Sequence, residues 1–316
     1  MTDTTSNSFP RPAIALLGAG TMGSAMAQRL LDLGFRVDVW NRTATPLAAL
    51  TQHGATASRT PSEAVAIADV VVTMLPNADV VEEVMLRAGT LDALRENATW
   101  AQMGTIGVEA TERIAAEVAR RRPDVLFVDA PVSGSRDPAR NGRLLILASG
   151  PDRSHRSVDA VFAALGQRTL WLGPAGIGSR LKLVLNAWLA FEIEAAAEAS
   201  ALAERLGVPY ADLADAVAGG PLASGVAFAK LIKMERGDYA ADFSLAWALK
   251  DLDLALGASG AETTPVLTAI AERWRHLVEQ GDGQFDISAA RLGLDAANPE
   301  RAVTAASPSS RRGWDT

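Results

Sequence analysis

Lys182 and Asn186 stand one helical turn apart in "LKLVLNAWLAFEIEAAAEASALAERLG", Leu181 to Gly207, a stretch whose spacing predicts one long helix. At about 100° per residue they share an apolar stripe with Leu189, Ile193, Ala196 and Ala197, while Arg180, Glu194 and Glu198 fall on the far face. An ammonium on such a stripe should lose affinity for its proton through desolvation, which suits it to proton transfer near neutral pH. The amide one turn on can hydrogen-bond a substrate or steady the ammonium, and Gly178, one turn back, leaves room for a ring. The opposing reading, a lysine that snorkels its charge out to water, stays open at this point.

A second constellation lies near the start. "GAGTMG" places Gly18, Gly20 and Gly23 in a G-x-G-x-x-G, with Ala19, Thr21 and Met22 between them, directly after a strand-like run and at the head of an amphipathic helix. In that context the first glycine permits a tight turn, the second lets backbone approach a pyrophosphate, and the third lets helix and strand pack closely. The free N–H groups of the helix N-terminus then face the anion. The position about 20 residues further on separates the two dinucleotides, an acid favouring a ribose hydroxyl and an arginine a 2′-phosphate. Here it is Arg42, flanked by Asn41 and Thr43, and Asp38 lies inside the predicted strand rather than at its tip. NADPH is therefore expected over NADH, with use of NAD still open.

Composition narrows the rest. The 316 residues carry a net charge of −7 without a basic cluster, which argues against a nucleic-acid partner. There is no cysteine, and the three histidines, His53, His155 and His276, are too scattered for a metal-binding helical pair, so no metal site is expected. "MTDTTSNSFPRP" lacks the apolar run of a signal peptide, and the long helix is interrupted by Lys182, Asn186, Glu192 and Glu194. A cytoplasmic protein without a membrane span is expected.

These groups need elements to position them. From Ala13 to about Leu172, the runs "AIALL", "VDVW", "VVVTML", "TWAQM", "VLFVDA", "LLILA" and "TLWL" alternate with helical patterns, which predicts an α/β, doubly wound parallel sheet of Rossmann type. "TPSEAV" marks a helix start, with Thr60 as cap, Pro61 in the first turn and Glu63 completing a capping box. Beyond "LGPAGIGS" the strand patterns stop, and helices are predicted near 212–218, 223–234, 245–256, 265–279 and 287–292. The expected organisation is a dinucleotide-binding domain over 11–176 and an all-α substrate and oligomerisation domain over 177–295, with mobile tails at 1–10 and 296–316.

With a lysine helix beside a dinucleotide motif, the chain resembles the β-hydroxyacid dehydrogenase family from about Ile14 to Leu294. The match runs through "GAGTMG", "MLP" (Met74, Leu75, Pro76), "DAPVSG" (Asp129 to Gly134), a G-x-x-x-K-x-x-x-N at Gly178, Lys182 and Asn186, and "KDL" at Lys250, Asp251 and Leu252. The resemblance implies cofactor contacts from Met74, Leu75 and Pro76, a place near the nicotinamide for Thr105, and a reach to the cofactor for Lys250. It also implies a substrate carboxylate held by Ser133 and Gly134. Read from the pattern alone, Lys250 faces away from its leucine stripe and could equally be a surface lysine.

Two departures stand out. Many members read Ser-Thr-x-x-Pro where this chain has Gly104, Thr105, Ile106, Gly107 and Val108. After Gly134 the loop runs on as "SRDPARNG", and Ser135, Pro138 and Ala139 match the glyoxylate/succinic semialdehyde reductase branch. The leading expectation is an NADPH-preferring reductase of small carboxylate-bearing aldehydes, with Lys182 as proton donor. The alternatives are a 3-hydroxyisobutyrate-type dehydrogenase, an imine reductase, and a non-enzymatic cofactor-binding or assembly module. Members of the last two kinds typically lack the lysine that this chain keeps. A homodimer or homotetramer is expected by analogy.

Overall fold

A computed structural model describes residues 11–151 and 156–294. His155 and both expected tails lie outside the described residues. The elements run β1 (Ile14–Leu17), α1 (Thr21–Asp32), β2 (Val37–Trp40), α2 (Thr45–Gln52), β3 (Thr56–Ala57), α3 (Pro61–Val65), β4 (Val70–Thr73), α4 (Ala78–Glu82), α5 (Thr90–Ala93), β5 (Thr99–Gln102) and α6 (Val108–Arg121). They continue as β6 (Leu126–Asp129), β7 (Val132–Ser133), α7 (Arg136–Arg140), β8 (Leu144–Ala148), α8 (Arg156–Leu165), β9 (Gly166–Trp171), α9 (Ile177–Arg205), α10 (Tyr210–Val217), α11 (Gly225–Arg236), α12 (Leu245–Ser259) and α13 (Pro265–Glu279). A 3-10 segment, Ile287–Leu294, follows.

The chain divides into two units. The first takes residues 11–188 and Lys250–Leu267. Its main sheet has the order β3-β2-β1-β4-β5-β6, with every pair parallel, the order in which a doubly wound sheet reverses direction between β1 and β4. Successive side chains of a strand point to opposite faces, and both faces are buried here. Ile14, Leu16, Val70 and Val72 pack with Met26 and Leu30 of α1, while Ala15, Leu17, Val71 and Trp100 pack with Ile114 and Val118 of α6. Runs that looked continuously apolar in sequence are therefore strands covered on both sides.

The structure adds two strands that the pattern did not announce, β3 and β7, each of two residues and too short to show alternation. β7 pairs antiparallel with β8, and β8 parallel with β9, in a second small sheet. At α3, Thr60 accepts the Glu63 N–H at 3.1 Å, and the Glu63 carboxylate reaches back to the Arg59 N–H at 3.0 Å. The box closes one residue earlier than the usual pattern, on the residue ahead of the cap.

The second unit takes Leu189–Leu249 and the residues from Thr268 onward. It is helical, with Ile193, Ala197, Leu231, Trp274 and Leu277 buried. Here one expectation is corrected. Glu194, placed by periodicity on the wet face of the long helix, is buried, with its carboxylate held by the Arg273 guanidinium and by the Trp274 indole N–H at 2.9 Å. Over 29 residues α9 has no single wet face, whereas Val184 and Trp188 are exposed. The burial of Glu194 is tolerable only because three donors replace its water. Among the described residues no helix is long and apolar enough to cross a membrane.

Candidate active site

The carboxyl ends of the parallel strands carry the groups expected to hold a cofactor, Lys250 excepted. Between β1 and α1, Gly18 has φ +104°, and a Cβ there would stand 2.4 Å from the Met74 carbonyl oxygen. At Gly23 a Cβ would stand 1.9 Å from the Gly18 carbonyl oxygen. Each of these glycines is thus required by the backbone packed against it. Gly20 differs, because nothing lies within 4 Å of the Cβ it lacks and no side chain caps the helix it begins. That combination leaves the uncapped amides of α1 facing open space, which fits a pyrophosphate approaching the backbone.

At the end of β2, Asn41 braces this turn. Its side-chain oxygen accepts the Ala19 N–H at 3.0 Å, and its amide donates to the Thr43 carbonyl and hydroxyl, each at 3.0 Å. Arg42 and Thr43 are exposed beside it. Asp38 is buried within β2, where desolvation pushes its carboxyl above the usual range against the pull of Arg36.

The loops after β4 and β5 touch. Thr73 Oγ1 donates to Gln102 Oε1 at 2.5 Å, Trp100 Nε1 donates to Thr73 at 2.9 Å, and Gln102 Nε2 donates to the Gly104 carbonyl at 2.9 Å. A Cβ at Gly104 would lie 2.6 Å from the Leu75 carbonyl oxygen. The glycine at the family's serine position therefore goes with a backbone contact that leaves no room for a side chain. Met74 and Leu75 in turn crowd Gly18, so the three turns form one surface, with Pro76 exposed at its rim.

Lys182 and Asn186 fall in the part of α9 that belongs to the same unit as the sheet, as do Lys250 and Asp251 on α12. Asn186 is buried and donates to Asp251 Oδ2 at 2.5 Å. Lys250 Nζ lies 2.8 Å from Asp251 Oδ1 and donates to the Thr105 carbonyl at 2.6 Å. These contacts form a chain from α9 through α12 to the loop after β5. Lys250 is accordingly no ordinary surface lysine, because it ties α12 to the carboxyl end of the sheet.

Lys182 is partly buried, and among the described residues no hydrogen bond engages its ammonium. Desolvation lowers its pKa to about 8, with Asp251 pulling the other way and Lys250 adding to the drop. In sequence Asp251 stands out only as part of "KDL", yet its carboxylate contacts both Asn186 and Lys250 and acts on Lys182 through its charge. Its side chain is separated by 65 residues from Asn186, so no local pattern could announce the contact.

The head of α9 is anchored by a buried carboxylate. Asp129 Oδ2 accepts the Gly176 and Ser179 N–H groups at 3.1 and 2.9 Å, Asp129 Oδ1 accepts the Ser179 hydroxyl at 2.8 Å, and Ser149 Oγ accepts the Gly178 N–H at 3.0 Å. Burial raises the Asp129 carboxyl above the usual range, and these donors oppose the rise. A second expectation is corrected at Gly178. A Cβ there would lie 2.1 Å from the Leu147 carbonyl oxygen, so the glycine serves the contact between α9 and β8 rather than making room for a ring.

Ser133, on β7, is half-buried, and its hydroxyl has no partner among the described residues. Gly134 is exposed, with φ +131°, and a Cβ there would stand 2.9 Å from Leu144 Cδ2. A free hydroxyl followed by a residue that presents backbone without a side chain can receive an anion.

A parallel sheet in this strand order, with its glycine turn at the switch point, defines a Rossmann-type dinucleotide-binding domain. Residues 13–173 match the NAD-binding domain of 6-phosphogluconate dehydrogenase, and residues 176–310 match the NAD-binding domain of NADP-dependent 3-hydroxyisobutyrate dehydrogenase. The chain belongs to the β-hydroxyacid dehydrogenase family.

It is 32% identical over 279 residues to glyoxylate/succinic semialdehyde reductase 1 of Arabidopsis thaliana, covering 87% of this chain and 96% of that one. Identity is also 32% to the cytokine-like nuclear factor N-PAC of Xenopus tropicalis, of which the aligned region spans 52%. Among solved structures, Mycobacterium tuberculosis 3-hydroxyisobutyrate dehydrogenase superposes with a TM-score of 0.81 at 29% identity, covering 90% of this chain and 100% of that one. The protein is thus an NAD(P)-dependent hydroxyacid dehydrogenase or reductase.

Proposed function

We propose that the protein is an NADPH-preferring reductase of small aldehydes that carry a carboxylate, such as glyoxylate or succinic semialdehyde, with Lys182 as proton donor. The observation that carries this reading is Lys182 itself, a lysine without a hydrogen-bond partner among the described residues, with its pKa lowered to about 8, beside the Asn186–Asp251–Lys250–Thr105 chain. NADPH supplies a hydride when bound. The glycine turn and Asn41, Arg42 and Thr43 would hold it, with the loops at Met74–Pro76 and Thr105 beside it and Lys250 in reach.

As a carbonyl is reduced, negative charge grows on its oxygen, and a protonated amine next to that oxygen both stabilises the charge and delivers the proton. Asn186 is fixed by Asp251 and so can orient either the amine or the substrate. Ser133 and the backbone at Gly134 would take the carboxylate. The same groups run in reverse would oxidise a 3-hydroxy acid, the reading favoured by the likeness to 3-hydroxyisobutyrate dehydrogenase.

Steady-state assays separate the two directions of use. Glyoxylate and succinic semialdehyde with NADPH should exceed 3-hydroxyisobutyrate with NADP in kcat/KM, and the opposite order would refute the reductase assignment. Cofactor choice is tested separately through Arg42. A charge-assisted hydrogen bond contributes about 1.5–3 kcal/mol, so Arg42→Ala should weaken NADPH about tenfold or more and leave NADH nearly unchanged. Equal losses for both cofactors would show that Arg42 does not meet the 2′-phosphate.

A further inference from the structure

We propose that Arg59, at the end of β3, is a second ligand for the cofactor's 2′-phosphate and closes on it from the side opposite Arg42. This deepens the NADPH reading above and rests on it. In the sheet order β3-β2-β1, the carboxyl ends carry Arg59, Arg42 and the glycine turn in sequence. A dinucleotide in this fold lays its pyrophosphate at the end of β1 and its adenosine ribose at the end of β2. The next strand outward from the ribose is β3.

The two arginines follow neighbouring, paired strands. Asp38 pairs with Thr56 and Val39 with Ala57, and the Ser58 N–H donates to the Val39 carbonyl at 3.0 Å, which continues the parallel pairing past the last residue of β3. Arg59 lies two residues past the end of β3 and Arg42 two residues past the end of β2, so both stand in the turns at the carboxyl ends of adjacent strands. Adjacent strands are about 4.8 Å apart, less than the length of an arginine side chain, so both guanidinium groups can reach one phosphate. The root of Arg59 is fixed, because its backbone N–H is locked into the capping box by Glu63.

Charge points the same way. Both arginines are exposed, and among the described residues neither guanidinium has an ion-pair partner. Asp38 lies inside β2, near its amino end, and faces Arg36 at 3.6 Å, so this acid is already engaged away from the two arginines. The Glu63 carboxylate spends one oxygen on the Arg59 backbone. Two unneutralised guanidinium groups side by side repel each other, and a phosphate dianion between them turns that repulsion into paired, charge-assisted hydrogen bonds. Arginine suits this place because its planar fork can offer two donors to one phosphate.

The test is direct titration of the purified full chain with NADPH, NADH and 2′,5′-ADP, read by tryptophan fluorescence or calorimetry. Arg59→Ala should raise Kd for NADPH and for 2′,5′-ADP about tenfold, the loss of about one charge-assisted contact, and leave Kd for NADH within about twofold. Arg59→Lys should recover part of the loss. An Arg42→Ala/Arg59→Ala double variant should bind NADPH no better than NADH.

If Arg59→Ala leaves NADPH binding unchanged, or weakens both cofactors alike, while the parent chain prefers NADPH, the Arg59 assignment is overturned and that of Arg42 stands. A parent chain that binds the two cofactors equally overturns both. Should Arg59→Ala fail to fold, Arg59→Gln, which keeps most of the stem and removes the charge, decides by the same titrations.

Discussion

Lys182→Met is expected to lower turnover at least ~100-fold, the lower end of what general acid catalysis contributes, while the variant folds and binds NADPH as the parent does. Methionine keeps most of the lysine stem, and removing a desolvated charge costs the fold nothing that the charge was supplying. The ammonium, by contrast, makes no hydrogen bond among the described residues, which leaves it to serve the substrate in this reading.

Its lowered pKa sets a pH signature with a definite sign. Below about pH 8 Lys182 is protonated, and above it the amine is neutral. Reduction needs the proton, so kcat should fall as pH rises through that value. Oxidation needs the neutral amine, so its rate should fall as pH drops through the same value. Both limbs should vanish in Lys182→Met. Near-normal turnover in a folded, NADPH-binding variant would make the lysine structural.

The second large effect concerns substrate charge. Glyoxylate is expected to exceed glycolaldehyde, and succinic semialdehyde to exceed butyraldehyde, by roughly 30-fold or more in kcat/KM, which corresponds to about 2–4 kcal/mol of charged hydrogen bonding in a site closed to water. The motivation is the free hydroxyl of Ser133 next to Gly134, whose φ of +131° and lack of a side chain leave backbone open at the surface.

That same angle decides which variant to use. Any L side chain at position 134 is strained, and Leu144 is already close, so Gly134→Val would disturb the fold as well as the anion. Ser133→Ala removes one donor and leaves the turn alone, and it should narrow both ratios. Equal efficiencies within both substrate pairs would take the carboxylate out of the recognition and reopen neutral carbonyls and imines.

What could be read in the sequence was whatever local geometry imposes on residue type. The glycine turn was legible because Gly18 needs a positive φ and Gly23 touches backbone, and both demands arise within one strand–turn–helix. The long helix and the capping box at Thr60 were legible for the same reason. The links that assemble the candidate site were not, since Lys250 meets Thr105 across 145 residues and Asn186 meets Asp251 across 65.

Periodicity treats a helix as having one wall and one wet side, and it failed where that premise failed, at Glu194. Gly178 was misread because its neighbour, the Leu147 carbonyl, belongs to a strand that no helical wheel includes. Arg59 carries no sequence signal because β3 is too short to show as a strand, and only the sheet order reveals that the turn holding it follows the strand next to β2.

The amides at the head of α9 have a consequence for how the molecule breathes. First-turn amides of a helix ordinarily fray and trade their hydrogens with water quickly. Those of Gly176, Gly178 and Ser179 are held instead by Asp129 and Ser149, both fully buried at the ends of β6 and β8. They can exchange only when the edge of the sheet comes apart, so the start of this helix belongs to the same cooperative foldon as those strands. Lys182, one turn further along, is therefore expected to stand on slow-exchanging ground, which amide hydrogen exchange at Gly176, Gly178 and Ser179 would read directly.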